Sequence, residues 1–216
     1  MDFAAQRDAM IERQLQQRGI REPAILEAFR AVPRELFVAS EQAHLAYGDH
    51  PLPIEAGQTI SQPYIVALMI AAAEIGPRDR VLEVGAGSGY AAAVIGQMAA
   101  RVTAVERKEE LAAIARRRIG QLGLANVEIV AGDGTLGLER AAPFDAILVA
   151  ASGSHVPEAL VAQLAPGGRL VMPLGAPAGS QTLVRVRKGS DGSLERDSLG
   201  AVRFVPLIGA EGWSDG

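Results

Sequence analysis

From residue 80 onward, short apolar runs alternate with longer amphipathic stretches. The apolar runs predict strands at residues 80–84, 101–105, 127–131, 144–150 and 169–173. The stretches between them predict helices at residues 89–98, 109–122 and 156–164. Strands and helices that alternate at this spacing form a parallel sheet with helices on both faces. We therefore expect a doubly wound α/β fold that binds its ligands at the carboxyl ends of the strands.

The earlier part of the chain lacks this alternation. Residues 1–30 place apolar side chains at three- and four-residue steps, which predicts amphipathic helices that pack on the core. Residues 46–63 have no periodicity but contain interleaved apolar residues, and we interpret them as an ordered loop over the ligand-binding end of the sheet. A helix is predicted at 64–75, with Ser61 in the position of its N-cap.

A boundary is expected between an N-terminal helical layer with its covering loop (1–78) and the core (79–209), which together form one compact unit. Near the end of the core, short strands are predicted at 183–186 and 202–205, on either side of a polar hairpin loop. The tail at 210–216 contains the only tryptophan, and we expect it to be mobile.

Three glycines, Gly85, Gly87 and Gly89, end the first core strand, and a helical run follows at once. Glycine can adopt positive φ in a tight turn and lets a ligand approach the backbone, so this arrangement is typical of nucleotide sites. The G-x-G-x-G spacing differs from the G-x-G-x-x-G of dinucleotide binders, and Glu83 precedes the glycines. A carboxylate there suits a ligand with an ammonium or sulfonium group better than a pyrophosphate. This favours S-adenosylmethionine over a nicotinamide cofactor.

Acidic residues follow the next two strands. Glu106 is placed to accept hydrogen bonds from ribose hydroxyls. Asp133, flanked by glycines, could accept from an adenine amino group or only shape its turn, and the pattern leaves both roles open. After the fourth strand, residues 150–157 lack the Asn/Asp-Pro-Pro-aromatic turn of enzymes that methylate base amino groups. We interpret His155 in that segment as structural or exposed.

The composition narrows the function further. The chain has 216 residues, of which 49% are hydrophobic, so a sizeable core is expected. It has no cysteine and only three scattered histidines, so we expect no metal site. A net charge of −4 argues against a nucleic-acid partner. The N-terminus has no signal-peptide pattern and no apolar run is long enough to span a membrane, which predicts a soluble cytoplasmic protein without a membrane partner.

The chain resembles the protein-L-isoaspartate O-methyltransferase family over nearly its whole length. The glycine turn and the Asp133 turn are shared by many methyltransferases, whereas the segments around Ser61 and near the C-terminus are specific to this family. The segments that support the resemblance include Val32-Pro33-Arg34-Glu35-Leu36-Phe37-Val38, Gly57-Gln58-Thr59-Ile60-Ser61-Gln62-Pro63-Tyr64 and Phe204-Val205-Pro206-Leu207.

The resemblance implies a class I, Rossmann-like methyltransferase fold with a mostly parallel seven-stranded sheet, N-terminal helical additions and an exchange of the last two strands. It also implies repair of L-isoaspartyl residues in damaged proteins and peptides, and we expect the protein to be a monomer. A methyl group passes from S-adenosyl-L-methionine to the free α-carboxylate, which yields S-adenosyl-L-homocysteine, and the ester then closes to a succinimide.

By the same resemblance, Ser61 is the catalytic hydroxyl and lies in the substrate site with Thr59, Ile60 and Val205. The implied cofactor-binding residues are Glu83, Gly85, Gly87, Ser88, Glu106, Asp133 and Gly134. The sequence departs from the family at Ala86 and at residues 151–155. The departure at residues 151–155 leaves the substrate preference open.

The residues present suit a carboxylate substrate. No general base is evident, but a carboxyl group with a pKa of about 4 is already ionised at pH 7. Its attack on a methyl group of a cationic sulfur needs alignment rather than proton transfer, so one hydroxyl such as that of Ser61 suffices. The alternatives are a methyltransferase of another substrate and a non-catalytic cofactor-binding homologue, with a nicotinamide reductase less favoured.

Overall fold

The computed structural model describes residues 2–215 and contains a central sheet between two layers of helices and loops. The helices are α1 (Phe3–Met10), α2 (Pro23–Ala31), α3 (Pro63–Ala72), α4 (Tyr90–Gly96), α5 (Glu109–Gln121) and α6 (Glu158–Gln163). The strands are β1 (Leu52–Pro53), β2 (Thr59–Ile60), β3 (Arg80–Val84), β4 (Arg101–Glu106), β5 (Val127–Ala131), β6 (Phe144–Val149), β7 (Leu164–Gly175), β8 (Gln181–Lys188) and β9 (Leu194–Val202).

The main sheet has seven strands in the order β5-β4-β3-β6-β7-β8-β9. Its first five strands pair in parallel, whereas β8 and β9 are antiparallel to their neighbours. This arrangement confirms the mostly parallel, doubly wound α/β fold. The chain order reverses between β3 and β6, and a crevice at such a point is where open α/β sheets bind their ligands.

Alternate residues of the central strands face the two layers, as the pleat of a strand requires. On β6, Ala146 and Leu148 belong to the core cluster that includes the N-terminal helices. Ile147 and Val149 belong to a second cluster on the other face, which also contains Leu160 of α6. The sheet is therefore buried on both faces, which explains why its strands appear in the sequence as continuous apolar runs.

The N-terminal layer packs directly on the helix that follows the glycine turn. The rings of Phe29 and Phe37 meet the ring of Tyr90 edge-on, with centroids 6.1 and 5.4 Å apart. Such aromatic contacts add to the stability that comes from apolar burial. Residues before position 78 thus share one core cluster with the sheet, while the boundary at that position stays a prediction.

The prediction of a strand at residues 202–205 was wrong, because β9 ends at Val202 and occupies residues 194–202. Hydrophobicity does not reveal this strand, since six of its nine residues are exposed and residues 195–198 are polar. It is held at the edge of the sheet by backbone pairing with β8 and by cross-strand ion pairs such as Arg185–Asp197, 2.7 Å. The expected antiparallel hairpin is confirmed, with a shorter loop.

The tail that we expected to be mobile contacts the strand ends over its described residues, 210–215. The indole nitrogen of Trp213 donates to the carbonyl of Ser152 at 2.8 Å, and Asp215 forms an ion pair with Arg107 at 2.6 Å. Motion of the tail in solution stays a prediction, and residue 216 lies outside the described residues. Across residues 2–215, no helix combines the length and the apolar character that a membrane crossing needs.

We predict that Phe37→Ala lowers the free energy of unfolding by about 3–5 kcal/mol, because it removes a fully buried ring that joins the N-terminal layer to α4. Denaturant-induced unfolding measures the loss. The neighbouring Leu36 is 50% exposed, so Leu36→Ala should change the stability by less than about 0.5 kcal/mol. Equal effects of the two substitutions would contradict the packing described here.

Candidate active site

A cavity of about 770 Å³ opens at the carboxyl ends of β3 and β4. Its walls come from the glycine turn, the end of β4, the segment from Gly57 to Gln62, and the chain after β9. The predicted site residues that line it are Thr59, Ile60, Ser61, Val205, Glu83, Gly85, Gly87, Ser88, Glu106 and Gly134. Only Asp133 among the predicted site residues is missing from the walls. The structure thus brings the expected substrate and cofactor residues into one space.

The glycine turn is fixed against the neighbouring strand. The amide groups of Gly85 and Ala86 both donate to the carbonyl of Val105, at 2.8 and 3.2 Å. Gly89 has φ of +87°, and a Cβ at this position would approach Ala115 of α5 to 3.2 Å. Position 89 therefore needs glycine both for its left-handed backbone and for the contact with α5. Ala86 is buried in the turn, so this departure from the family leaves the turn intact.

Glu106 holds the same turn from the end of β4. One of its carboxylate oxygens accepts from the Gly87 amide at 2.9 Å, and the other accepts from the Lys108 amide at 2.9 Å. Each carboxylate oxygen can accept more than one hydrogen bond, so ribose hydroxyls can still bind. The expected ribose acceptor is therefore also a structural tie between β4 and the glycine turn.

Glu83 presents a different environment, since it is only 2% exposed. Its Oε2 atom has no hydrogen-bond partner among residues 2–215. Burial, together with the nearby Glu106 charge, raises the pKa of Glu83 to about 8. A ligand with a cationic group would stabilise the ionised form and satisfy the free oxygen. This carboxyl in the cavity wall fits the amino group of S-adenosylmethionine.

Asp133 shapes the turn after β5. Its Oδ1 accepts from the amide and the hydroxyl of Thr135 at 2.9 and 2.7 Å, and its Oδ2 accepts from the Ala210 amide at 2.7 Å. Partial burial opposes ionisation, but these hydrogen bonds lower the pKa of Asp133 below its ordinary value. The structure assigns it the turn role that the sequence left open, and contact with adenine stays a prediction.

The prediction that Ser61 caps α3 was wrong. The N-cap residue is Gln62, α3 starts at Pro63, and no side chain caps it. Because Pro63 has no amide hydrogen, its place at the start of the helix already removes one of the donors that a cap would satisfy. The Ser61 hydroxyl has no hydrogen-bond partner in the part of the chain that the structure describes. It is therefore available to a ligand in the cavity.

The long loop before Ser61 is ordered, as we expected. Strands β1 and β2 pair within it, and Leu52 lies opposite Ile60. Glu55 forms an ion pair with Arg118 of α5 at 3.1 Å, which fastens the loop to the core. The loop thus carries Thr59, Ile60 and Ser61 to the cavity on a braced hairpin.

The atypical segment at 151–155 supports the opposite end of the site. Ser152 is fully buried, and its amide donates to the Val205 carbonyl at 2.8 Å. The Ser152 hydroxyl donates to the Gly175 carbonyl at 2.9 Å. His155 is exposed and its ring contacts the hydroxyl of Ser154 at 2.9 Å, so the expectation of a structural or exposed residue is confirmed.

Sequence reasoning missed two buried residues next to the cavity. Tyr90 lines it and is 1% exposed, and Arg34 donates to the carbonyl of Ser61 at 2.8 Å. The segment 32–38 offers no clear local signal for Arg34, since the residue stands between Pro33 and the charged Glu35. We used that segment only as support for the family resemblance. Within residues 2–215, no group of three or more His, Asp or Glu residues could hold a metal ion.

The comparison with protein families decides the assignment. The model of the family described as protein-L-isoaspartate(D-aspartate) O-methyltransferase matches residues 5–212. The chain belongs to this family. A Methylorubrum extorquens protein-L-isoaspartate O-methyltransferase is 58% identical over 99% of this chain and 93% of that protein. Protein-L-isoaspartate O-methyltransferase 2 of Pelobacter propionicus is 56% identical over 96% of this chain and 92% of that protein.

Two solved structures resemble this methyltransferase over almost its full length. A protein-L-isoaspartate O-methyltransferase is 30% identical with a TM-score of 0.87, over 95% of this chain and 67% of that chain. A Plasmodium falciparum protein described as a protein-L-isoaspartate O-methyltransferase, in complex with S-adenosyl-L-homocysteine, is 27% identical with a TM-score of 0.80. That match covers 94% of this chain and 98% of the other. S-adenosylmethionine is accordingly the cofactor of this methyltransferase.

We predict that cofactor binding releases a proton from Glu83. A carboxyl group with a pKa of about 8 is largely protonated at pH 7, and a bound ammonium group favours its ionised form. Calorimetry of S-adenosyl-L-homocysteine binding at pH 7, in buffers of different ionisation enthalpy, should show about 0.9 more protons released by the natural protein than by Glu83→Gln. Because protons are released, the natural protein should bind more tightly as the pH rises from 6 to 8.

The exposed Glu195→Gln substitution is the matched control and should leave the proton count unchanged. Equal proton release by the natural protein and Glu83→Gln would contradict the assignment of the ammonium group to Glu83.

Proposed function

We propose that this protein initiates repair of L-isoaspartyl residues by methylating their free α-carboxylate, with Ser61 as the hydroxyl that binds that carboxylate. The methyl ester then closes to a succinimide, which hydrolyses partly to normal aspartate. Family membership supports the reaction. The observation that supports the role of Ser61 is its hydroxyl, which has no partner in the described chain and lies in the wall of the cavity that Glu83 and Glu106 also line.

The cofactor half of the cavity contains the residues that would hold S-adenosylmethionine. When bound, this cofactor supplies a methyl group on a positively charged sulfur. Glu83 would bind its amino group and Glu106 its ribose hydroxyls. The turn at Gly85, Gly87 and Ser88 would bring the backbone close to it. The position of each residue in the cavity wall supports these roles.

In the substrate half, the residues orient a group that is already reactive. An isoaspartyl α-carboxylate is ionised at neutral pH, so no side chain has to remove a proton. The Ser61 hydroxyl would donate to one carboxylate oxygen and leave the other free to attack. Thr59, Ile60 and Val205 would surround the isoaspartyl residue and displace water from it. Alignment of this kind can lower the activation free energy of a reaction between two bound groups by roughly 7 kcal/mol.

The partners in this proposal are isoaspartyl-containing proteins and peptides, and the protein acts as a monomer in the cytoplasm. The oligomeric state is measurable by light scattering after size-exclusion chromatography, where the mass should equal the chain mass of 22.6 kDa.

We predict that Ser61→Ala lowers kcat/KM by about 10- to 100-fold, the effect of losing one hydrogen bond to a charged group. The assay follows labelled methyl groups from S-adenosylmethionine into two peptides that differ only in L-isoaspartate or L-aspartate at one position. Ser40→Ala is the matched control, because Ser40 is exposed and its hydroxyl contacts only Glu41.

Transfer to the isoaspartyl peptide alone is the expected result for the natural protein and the control. Transfer that Ser61→Ala does not slow would keep the reaction but overturn the role of Ser61. A natural protein that binds the cofactor but methylates neither peptide would overturn the proposed function.

A further inference from the structure

Arg34 is a fully buried charge without an ionic partner. Its exposed fraction is 0%, and it forms no ion pair with any Asp or Glu among residues 2–215. Burial lowers its pKa below the ordinary value, but a guanidinium group still carries its charge at neutral pH. A buried charge that no carboxylate compensates destabilises a protein. A function for the charged group would explain its place in the core.

The guanidinium group binds both ends of the loop that covers the cavity. Its Nε donates to the carbonyl of Ala46 at 2.7 Å, and its Nη2 donates to the carbonyl of Ser61 at 2.8 Å. Ala46 and Ser61 lie at the start and near the end of the loop at 46–63. One planar group therefore sets the distance between the two ends of this loop, and it fixes the backbone of Ser61 directly.

The same group also contacts the cofactor side of the site. The guanidinium carbon lies 4.8 Å from the centre of the Tyr90 ring, close enough for a cation–π interaction. Tyr90 is the first residue of α4, directly after the glycine turn, and it lines the cavity. Arg34 thus contacts the backbone of Ser61 on one side and α4, the helix that follows the glycine turn, on the other.

A separate network holds Arg34 in place from behind. Its amide donates to the Tyr47 hydroxyl at 3.2 Å, and the same hydroxyl accepts from Nε of Arg7 at 2.8 Å. The Tyr47 hydroxyl in turn donates to Glu35. The charges of Arg7 and Glu35 compensate each other within this network. The guanidinium group of Arg34 therefore interacts with the loop carbonyls and the Tyr90 ring instead of with Glu35.

We propose that Arg34 is a positioning residue for methyl transfer, which sets the Ser61 hydroxyl relative to the cofactor turn by binding the Ala46 and Ser61 carbonyls and packing on Tyr90. This inference rests on the role proposed for Ser61. Lysine cannot replace Arg34 fully, because an ammonium group lacks the planar fork that serves two carbonyls and an aromatic face together.

The test compares Arg34→Met and Arg34→Lys with the natural protein. We measure kcat and KM for an isoaspartyl peptide, the Kd for S-adenosyl-L-homocysteine and the Tm, with all assays well below the Tm. Displacement of a reacting group by about 1 Å can slow a reaction by about 100-fold, so we expect a loss of this size in kcat/KM for Arg34→Met. Arg34→Lys should recover part of it. If Arg34→Met does not fold, the test compares Arg34→Lys alone with the natural protein.

Arg169→Lys is the matched control for a purely structural role. Arg169 is also largely buried and donates to the backbone carbonyls of Ala73 and Asp145, at 2.8 and 3.1 Å. It forms an ion pair with Asp79 at 2.8 Å, and none of these partners lines the cavity, unlike Ser61 and Tyr90. Its substitution should lower the Tm and leave kcat unchanged. A kcat for Arg34→Lys that equals that of Arg169→Lys at a similar Tm would overturn the proposal.

A double-mutant cycle with Ser61→Ala separates this inference from the proposed function. If Arg34 acts through Ser61, adding Arg34→Lys to Ser61→Ala should slow the reaction by less than about 2-fold, whereas independent sites show additive effects. Additivity would overturn the role of Arg34 and leave that of Ser61 standing. A Ser61→Ala protein with full activity would overturn both roles, and a natural protein without activity would overturn the function itself.

Discussion

The parallel pairing of β3 with β4 is the constraint on which the rest of the site depends. Val84 lies opposite Val105, so the two strands end within one residue of each other and their acidic residues line one cavity. The Val105 carbonyl then accepts two amides of the glycine turn, and Glu106 accepts a third. A shift of one residue in this register would send Glu83 to the other face of the sheet. The position of the turn therefore comes from strand pairing rather than from the glycines alone.

The same pairing places two acidic side chains close together, and a cationic ligand would relieve their repulsion. Two carboxyl groups at neighbouring strand ends repel each other, and burial disfavours the charge of Glu83. Glu106 is compensated by backbone amides, whereas Glu83 keeps an oxygen without a partner. Glu83 therefore lowers the local stability and keeps one unsatisfied acceptor, which in our proposal would favour a cationic ligand.

Much of this architecture was predictable from the sequence, because buried parallel strands produce continuous apolar runs and the residues at their ends line the cavity. Glu83, Glu106 and the glycine turn were found in this way. The exposed edge strand β9 was not predicted, because a strand held by backbone pairing has no characteristic hydrophobic pattern. Ser61 was misread locally as a helix cap, and only the resemblance to a family indicated its place in the site.

Arg34 could not be found by any local rule, because its partners are carbonyls distant in sequence. Ala46 and Ser61 meet its side chain only after the loop between them has folded back. Every residue has a backbone carbonyl, so no pattern of side chains in the sequence predicts such a contact. A buried arginine is visible in a sequence only as a charge in an apolar setting, and most such charges lie at the surface.

The contact of Phe29 and Phe37 with Tyr90 also has a consequence for how the chain is made. The N-terminal helices emerge first during synthesis, but the helix that covers their aromatic rings comes later. At about 5–20 residues per second, the segment between Phe37 and Tyr90 takes about 3–10 s to synthesise. For that time the nascent chain exposes apolar rings that have no partner. Cellular chaperones that bind such surfaces would therefore bind the N-terminal layer of this protein first, before the strands of the main sheet have paired.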